Sequence, residues 1–328
     1  MIRAKQSASL QDAELKYYNG INETQLYHAL EPRPGYFLAE SAKCVTRALE
    51  AGYEPNSLLL EDTIYNKYLA YKNTPYDQNN NSAAGNDIFT PDDQNNNSAA
   101  GNDIFTPDDH DNNSAADDEI RMLDIIESYD YEIPVYILKK DDMLKITGYN
   151  LTGGILCLMN RRNEKSLVEL LNEYPLNKKI KIVVLDDVEN PTNVGALFRC
   201  SAALGADLVI VTNNSANPLY RRSARVSMGT VFQVPFAIVD KKDDYISILK
   251  DLGIKTAAMA LSSDSVNIDD PSLNSENRLA LILGNEGYGL PAETIAKSDY
   301  TVCIPMAHGV DSLNVAAAGA IAIWQLIR

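Results

Sequence analysis

Hydrophobic spacing divides the chain into two regions with different rhythms. Up to about residue 162, short apolar runs alternate with stretches of helical spacing. Leu38, Ala42, Val45 and Leu49 recur at intervals of three and four and predict a helix over 36–49. The run SLLLED at 57–62 predicts a strand, IRMLDIIESY at 120–129 a helix, and VYILK at 135–139 a second strand. DDMLKITGY at 141–149 again has helical spacing, and GGILCLMNR at 153–161 closes the series as a strand. Such an alternation describes a small α/β domain. Residues 163–179 form a short helix and a linker.

From Ile180 onward the apolar runs become longer and more regular. IKIVVLD (180–186), DLVIVT (207–212), IKTAAMA (254–260), LALILG (279–284) and YTVCIP (300–305) predict strands, and an apolar helix closes the chain from about Leu313. Nearly continuous apolar strands separated by helices predict a parallel sheet covered on both faces.

One segment breaks both rhythms. QNNNSAAGNDIFTPDD occurs at 78–93, repeats unchanged at 94–109, and begins a third time in decayed form at 110–118. One Ile-Phe pair per copy cannot bury enough surface to offset the entropy of ordering, so 77–119 reads as a flexible acidic insertion. It also changes the charge balance. The 328-residue chain carries a formal −16, which argues against binding nucleic acid. Eleven acidic side chains and no Lys or Arg fall in 77–119; without them 34 acids face 29 bases, a net of −5. Net charge therefore neither supports nor excludes RNA.

Other classes are easier to address. Cys44, Cys157, Cys200 and Cys303 are scattered, and His28, His110 and His308 do not cluster with them, so no metal site is expected. The longest mainly apolar stretch, 315–327, falls short of the roughly 18 residues that span a bilayer, and no leader pattern opens the chain. A cytoplasmic protein is expected. Neither a G-x-G-x-x-G fingerprint nor a P-loop is present, which counts against a nucleotide-dependent oxidoreductase.

Three motifs carry candidate chemistry. In ENPTNVGALFR (189–199), Asn193 is suited to cap a helix beginning at Val194. Gly195 permits a close approach to its first turn, and Arg199 is placed to reach a phosphate or carboxylate beyond the strand ends. In LILGNEGYGL (281–290), a buried strand enters Gly284, Gly287 and Gly289 with Glu286 among them, exposing backbone groups to a ligand. In IPMAHGVDSLNVAAAGAIAIWQL (304–326), Ser312 or Asp311 caps a helix of small residues that can pack very close to another segment. His308 reads as a surface loop residue. Taken singly, each motif also fits an ordinary cap, turn or core helix.

In this order and at this spacing the three resemble the signature of the SpoU branch of the SPOUT methyltransferases. They are Asn193-Val194-Gly195 with Arg199, Gly284-Asn285-Glu286 with Gly289, and Ser312-Leu313-Asn314-Val315. RRSARVSMGTVFQVP (221–235) resembles the segment between the first two motifs, and YFLAESAKCVTRALEAG (36–52) is similar to the ribosomal-protein-like substrate-binding domain of many members. The acidic repeat has no counterpart in the family pattern.

The resemblance implies a domain 1–162 that binds RNA, a linker 163–179, and a parallel-sheet domain 180–328 with a deep trefoil knot, an exception to unthreaded topology. It implies S-adenosylmethionine held by Leu283, Gly284, Ile304, Met306 and Leu313, and a homodimer. It implies methylation of a ribose 2′-hydroxyl in RNA, ribosomal rather than transfer RNA. Arg199 would bind phosphate and stabilise the developing alkoxide. Asn193 and Glu286 would position Arg199 or the RNA, and Ser312 and Asn314 would shape the site. A non-catalytic RNA-binding protein on the same fold is the alternative; the intact Arg199, Glu286 and Asn314 count against it.

Overall fold

The computed structural model describes residues 2–6, 13–19, 35–74, 114–240 and 242–328. Both full copies of the acidic repeat lie outside the described residues, so the expectation of a flexible insertion concerns residues not described. The decayed third copy lies partly within them, where Ser114–Glu127 is one continuous helix that begins earlier than the apolar spacing predicts.

Two sheets organise the chain. The first has five strands: β1 (Ile2–Gln6), β2 (Tyr36–Glu40), β3 (Pro55–Glu61), β4 (Ile133–Leu138) and β5 (Ile155–Asn160), in the order β1-β4-β3-β5-β2. It is mixed: β4 pairs parallel with β1 and β3, while β5 pairs antiparallel with β3 and β2. The helix predicted over 36–49 is therefore half wrong. Tyr36–Glu40 is a strand on the edge of this sheet, and only Ala42–Glu50 is helical. Ser41, at φ 82, turns the chain between them. Leu38 satisfies both periodicities, so a short apolar run could not choose between them.

The second sheet has seven strands: β6 (Ile180–Leu185), β7 (Leu208–Thr212), β8 (Phe236–Val239), β9 (Lys255–Met259), β10 (Val266–Asn267), β11 (Arg278–Leu283) and β12 (Tyr300–Cys303). Every pairing in the order β10-β12-β9-β11-β6-β7-β8 is parallel. Strand β8 is not among the predicted strands, and β12 ends at Cys303 rather than Pro305. Both faces are covered. Val183, Leu185, Leu281 and Leu283 face helices Pro191–Ala203 and Val315–Leu326. Ile182, Val184, Ala280 and Ile282 pack instead with Leu249 and with Leu167, Leu170 and Leu171. The last three sit on the Leu167–Leu171 helix, started by a Ser166–Glu169 capping box, so the expected linker helix is part of the second sheet's core.

The connection between β7 and β8 holds the two sheets together. Phe232 lies 5.7 Å from Phe37 and 5.4 Å from Tyr53 between ring centroids, an aromatic cluster shared by both units. The fully buried Glu40 side chain pairs with Arg221, lies 3.8 Å from Arg225, and accepts the backbone N–H of Thr152 at 2.9 Å. Arg47 donates to the Met228 carbonyl at 2.9 Å.

Between helices, close packing is marked by two glycines. A Cβ on Gly195 would stand 2.5 Å from the Ser223 carbonyl oxygen, so this helix rests directly on the backbone of the Arg221–Val226 helix. A Cβ on Gly319 would stand 2.3 Å from a Leu197 methyl and 3.0 Å from a Leu283 methyl, so the last helix lies close over both side chains.

Two outcomes follow from this packing. Glu40→Ala strips a buried ion pair of one partner and is expected to destabilise the protein by about 3 kcal/mol in urea denaturation. On an exposed helix Gly→Ala stabilises by roughly 1 kcal/mol, but forcing a methyl against backbone costs about 1–3 kcal/mol. Gly195→Ala is therefore expected to lower the denaturation midpoint. A midpoint equal to or above wild type would show that the contact gives way.

Candidate functional site

The order of the second sheet reverses beside β6: the chain steps from β6 to β7 and β8 on one side, then crosses to β9 and β11 on the other. In open parallel sheets the crevice beyond the carboxyl ends at such a reversal is where ligands bind. Here β6 and β11 are adjacent and in register, with Leu185 opposite Leu283. The loops leaving them, which carry the first two motifs, are side by side.

A chain of hydrogen bonds joins all three motifs. Asn193 donates its side-chain amide to Glu286 Oε1 at 2.8 Å. Asn314 donates in turn to Asn193 Oδ1 at 3.3 Å. The Glu286 carboxylate also accepts the backbone N–H groups of Asn190 at 3.2 Å and Glu189 at 3.3 Å. A carboxylate at the start of the Pro191–Ala203 helix meets the positive end of its dipole as well.

Two capping expectations are corrected here. Asn190, not Asn193, caps the helix, accepting from Thr192 N at 2.9 Å with Pro191 in the first helical position. Asn193 lies inside the first turn, buried, and its amide is therefore available for Glu286. Asn314, rather than Ser312 or Asp311, caps the final helix, accepting from Ala316 N at 2.9 Å and Ala317 N at 3.4 Å. The cap points the Asn314 carbonyl into its helix, so the NH₂ end must face Asn193.

The other predicted residues fall in two places. Leu283, Gly284, Ile304, Met306 and Leu313 all line one cleft of ≈ 240 Å³, with Glu286 and Ser312 on its wall. Its charged lining side chains are Glu286 and Asp311, both carboxylates. A Cβ on Gly284 would come within 2.7 Å of the Gly289 and Leu290 backbone, so the loop folds tightly against its own strand end. Arg199 is not drawn into the network. It stands exposed between the small side chains of Ala196 and Ala203, with no hydrogen bond or ion pair among the described residues.

Several residues that matter are not singled out by motif reading. Asp187, buried at φ 62 where the chain leaves β6, accepts from Thr212 Oγ1 at 3.1 Å. Asn285 donates to the Asp187 carbonyl at 2.9 Å and so ties the two loops together. On the opposite face of the sheet, buried Asp186 accepts from the Tyr245 hydroxyl at 3.0 Å. Burial, reinforced by that carboxylate, pushes the Tyr245 hydroxyl well above its ordinary range and keeps it a donor. Asn285 belongs to the glycine-loop motif, while Asp187, Asp186 and Tyr245 carry no local pattern that points to these roles.

Among the described residues no three His, Cys, Asp or Glu side chains group as a metal site would require, and no helix is long and apolar enough to cross a membrane.

Comparison with known proteins bears on the same region. The model of the SpoU rRNA Methylase family matches residues 181–324. An uncharacterized tRNA/rRNA methyltransferase of Mycobacterium tuberculosis is 35% identical over 196 residues, 60% of this chain and 66% of that protein. The match thus spans just under two thirds of that relative. The 23S rRNA (guanosine-2'-O-)-methyltransferase RlmB of Nitrosomonas europaea is 31% identical over 58% of this chain and 72% of its own length. The crystal structure of an AdoMet-bound rRNA methyltransferase from Sinorhizobium meliloti superposes with a TM-score of 0.69, covering 98% of this chain and 97% of that one. At 21% identity that likeness is one of fold. With all three motifs meeting at one crevice and the match to RlmB covering most of that protein, the chain belongs to the SpoU rRNA methylase family.

Proposed function

We propose that this protein transfers a methyl group from S-adenosylmethionine to a ribose 2′-hydroxyl of ribosomal RNA, acting in the cytoplasm. The observation that carries the reading is the hydrogen-bonded junction of Asn193, Glu286 and Asn314 at the mouth of the cleft lined by Leu283, Gly284, Ile304, Met306 and Leu313. The relatives' names, which include ribosomal RNA 2'-O-methyltransferase, agree with it.

The cleft suits the cofactor by its chemistry. Its floor is apolar, its glycine loop brings backbone N–H and C=O groups to the rim, and its charged side chains are acidic, which favours a cationic sulfonium. When bound, S-adenosylmethionine supplies an already activated methyl group, so alignment and charge are what the protein must provide. Leu283, Ile304, Met306 and Leu313 would enclose the cofactor, and Gly284 would admit it close to the backbone. Ser312, on the cleft wall, and Asn314 would shape the nucleotide end of the site.

Arg199 would work from outside the network. A guanidinium offers donors and no acceptor, so Arg199 would not take up the hydroxyl proton. It would hold an RNA phosphate and stabilise the alkoxide as it forms. Glu286 and Asn193 fix the helix that presents it, and through that helix its position.

We propose further that residues 180–328 form the knotted catalytic domain, that 1–162 present the RNA, and that 163–179 connect them. A second copy would cover the final helix, where Ile321 and Trp324 share an exposed face. A monomer at micromolar concentration in sedimentation would remove that part.

The decisive test is methyl transfer from labelled S-adenosylmethionine to ribosomal and transfer RNA, followed by nucleoside analysis. A 2′-O-methylated nucleoside from ribosomal RNA is expected; methylation of transfer RNA alone would reassign the substrate. Absence of both transfer and cofactor binding would favour the RNA-binding alternative. Arg199→Ala is expected to lower kcat/KM by about 100-fold or more with cofactor affinity unchanged. Full activity in that variant would end its assignment.

A further inference from the structure

We propose that Tyr288 is the platform on which the nucleobase of the target nucleotide stacks. The inference rests on the methyltransferase reading and adds a recognition element to it.

Tyr288 is 64% exposed, unusual for a large aromatic side chain beside a ligand cleft. The loop that carries it is nevertheless fixed. Asn285 N donates to Gly289 O and Gly289 N to Asn285 O, both at 3.1 Å, closing a five-residue ring. Inside that ring Asn285 Oδ1 accepts from Gly287 N at 2.7 Å and Tyr288 N at 3.3 Å. Gly289, at φ 70, then turns the chain back to buried Leu290. The hydroxyl end lies beside two carboxylates, 3.4 Å from Asp187 Oδ2 and 3.5 Å from Glu189 Oε1, the long limit of a hydrogen bond. The ring is thus held out into solvent, across the gap between the first and second motif loops and two residues from Glu286. A ring carried on a loop fixed in this way costs little backbone entropy when a ligand covers it.

Charge indicates what it covers. The hydroxyl edge of the ring lies beside the Asp187 and Glu189 carboxylates, so an RNA phosphate is repelled from it. The guanidinium of Arg199, on the neighbouring helix, is the group suited to phosphate. What the Tyr288 face can accept is an uncharged planar group, and on a ribonucleotide that is the base. Stacking of this kind tolerates any base. The exposed Glu189 carboxylate at the ring's edge favours bases that present N–H donors there.

The test compares wild type, Tyr288→Leu and Tyr288→Phe in steady-state methylation of ribosomal RNA, with cofactor affinity measured separately. Tyr288→Leu is expected to raise KM for RNA by about 10-fold while cofactor affinity holds. Tyr288→Phe, which keeps the ring and loses the hydroxyl, is expected to restore the KM. An unchanged KM in Tyr288→Leu overturns the proposal and leaves the methyltransferase reading standing. Equal losses in both variants overturn it too, because the hydroxyl would then matter as a loop tie and the ring would not. A parallel loss of cofactor affinity overturns it by placing the residue in the cleft's own structure. If wild type methylates no RNA while binding the cofactor, the underlying reading fails and this proposal with it.

Discussion

The site depends on the orientation of one buried amide, that of Asn193. Its NH₂ end must face Glu286 and its carbonyl must face Asn314, and neither end can be exchanged without losing both bonds. Each hydrogen bond is worth only about 1 kcal/mol to stability, so the arrangement is not there for its energy. Its effect is geometric. Asn314 is the cap of the last helix, Asn193 lies in the first turn of the helix after β6, and Glu286 leads out of β11. Fixing one amide therefore fixes two helix starts and a strand exit relative to one another. The close approach at Gly319 serves the same end, since a last helix held farther off would carry Asn314 out of reach.

The first sheet is coupled to this arrangement through an unexpected element. The Arg221–Val226 helix pairs with buried Glu40 on one side and lies under Gly195 on the other. A shift of the five-stranded unit thus bears on the helix that carries Asn193 and Arg199 through a single layer of backbone. Phe232 extends the same contact with its aromatic cluster. In the proposed function, a unit that docks on the support of the site's main helix, rather than through a free linker, would hold RNA at a set distance from that helix.

Much of this was legible in the sequence because burial on two faces writes an unambiguous pattern. The strands from Ile180, Leu208, Lys255 and Arg278 were readable as apolar runs, and the glycine loop and small-residue helix stood out by composition. The two capping errors share one cause. Asn190 and Asn193 are both able to cap a helix, as are Asp311, Ser312 and Asn314, and local chemistry does not choose among them. Tertiary contacts chose: Pro191 and the Glu286 carboxylate settle the first case, and the reach to Asn193 settles the second. Strand β2 was missed because five residues are too few to separate a strand's period from a helix's. Asp187 gave no signal, because its left-handed backbone is imposed by Thr212 and Asn285, distant in sequence.

Charge, which decides nothing when summed along the chain, becomes informative once placed. The cleft is lined by Glu286 and Asp311, with Asp187 and Glu189 in the adjoining loop after β6, while Arg199 stands apart on the exposed face of its helix. For the proposed reaction this separation sorts the reactants. Carboxylates around the cleft attract a sulfonium and repel phosphate, so the RNA backbone is kept out of the cofactor's place. The guanidinium then supplies the attraction for phosphate at a distance from those carboxylates, where they do not neutralise it. An ion pair between Arg199 and Glu286 would have satisfied both groups and left neither for a ligand. Tying Glu286 to two backbone N–H groups and one amide satisfies the carboxylate without the guanidinium. The amide relay that holds the site together is thus also what leaves its cation available.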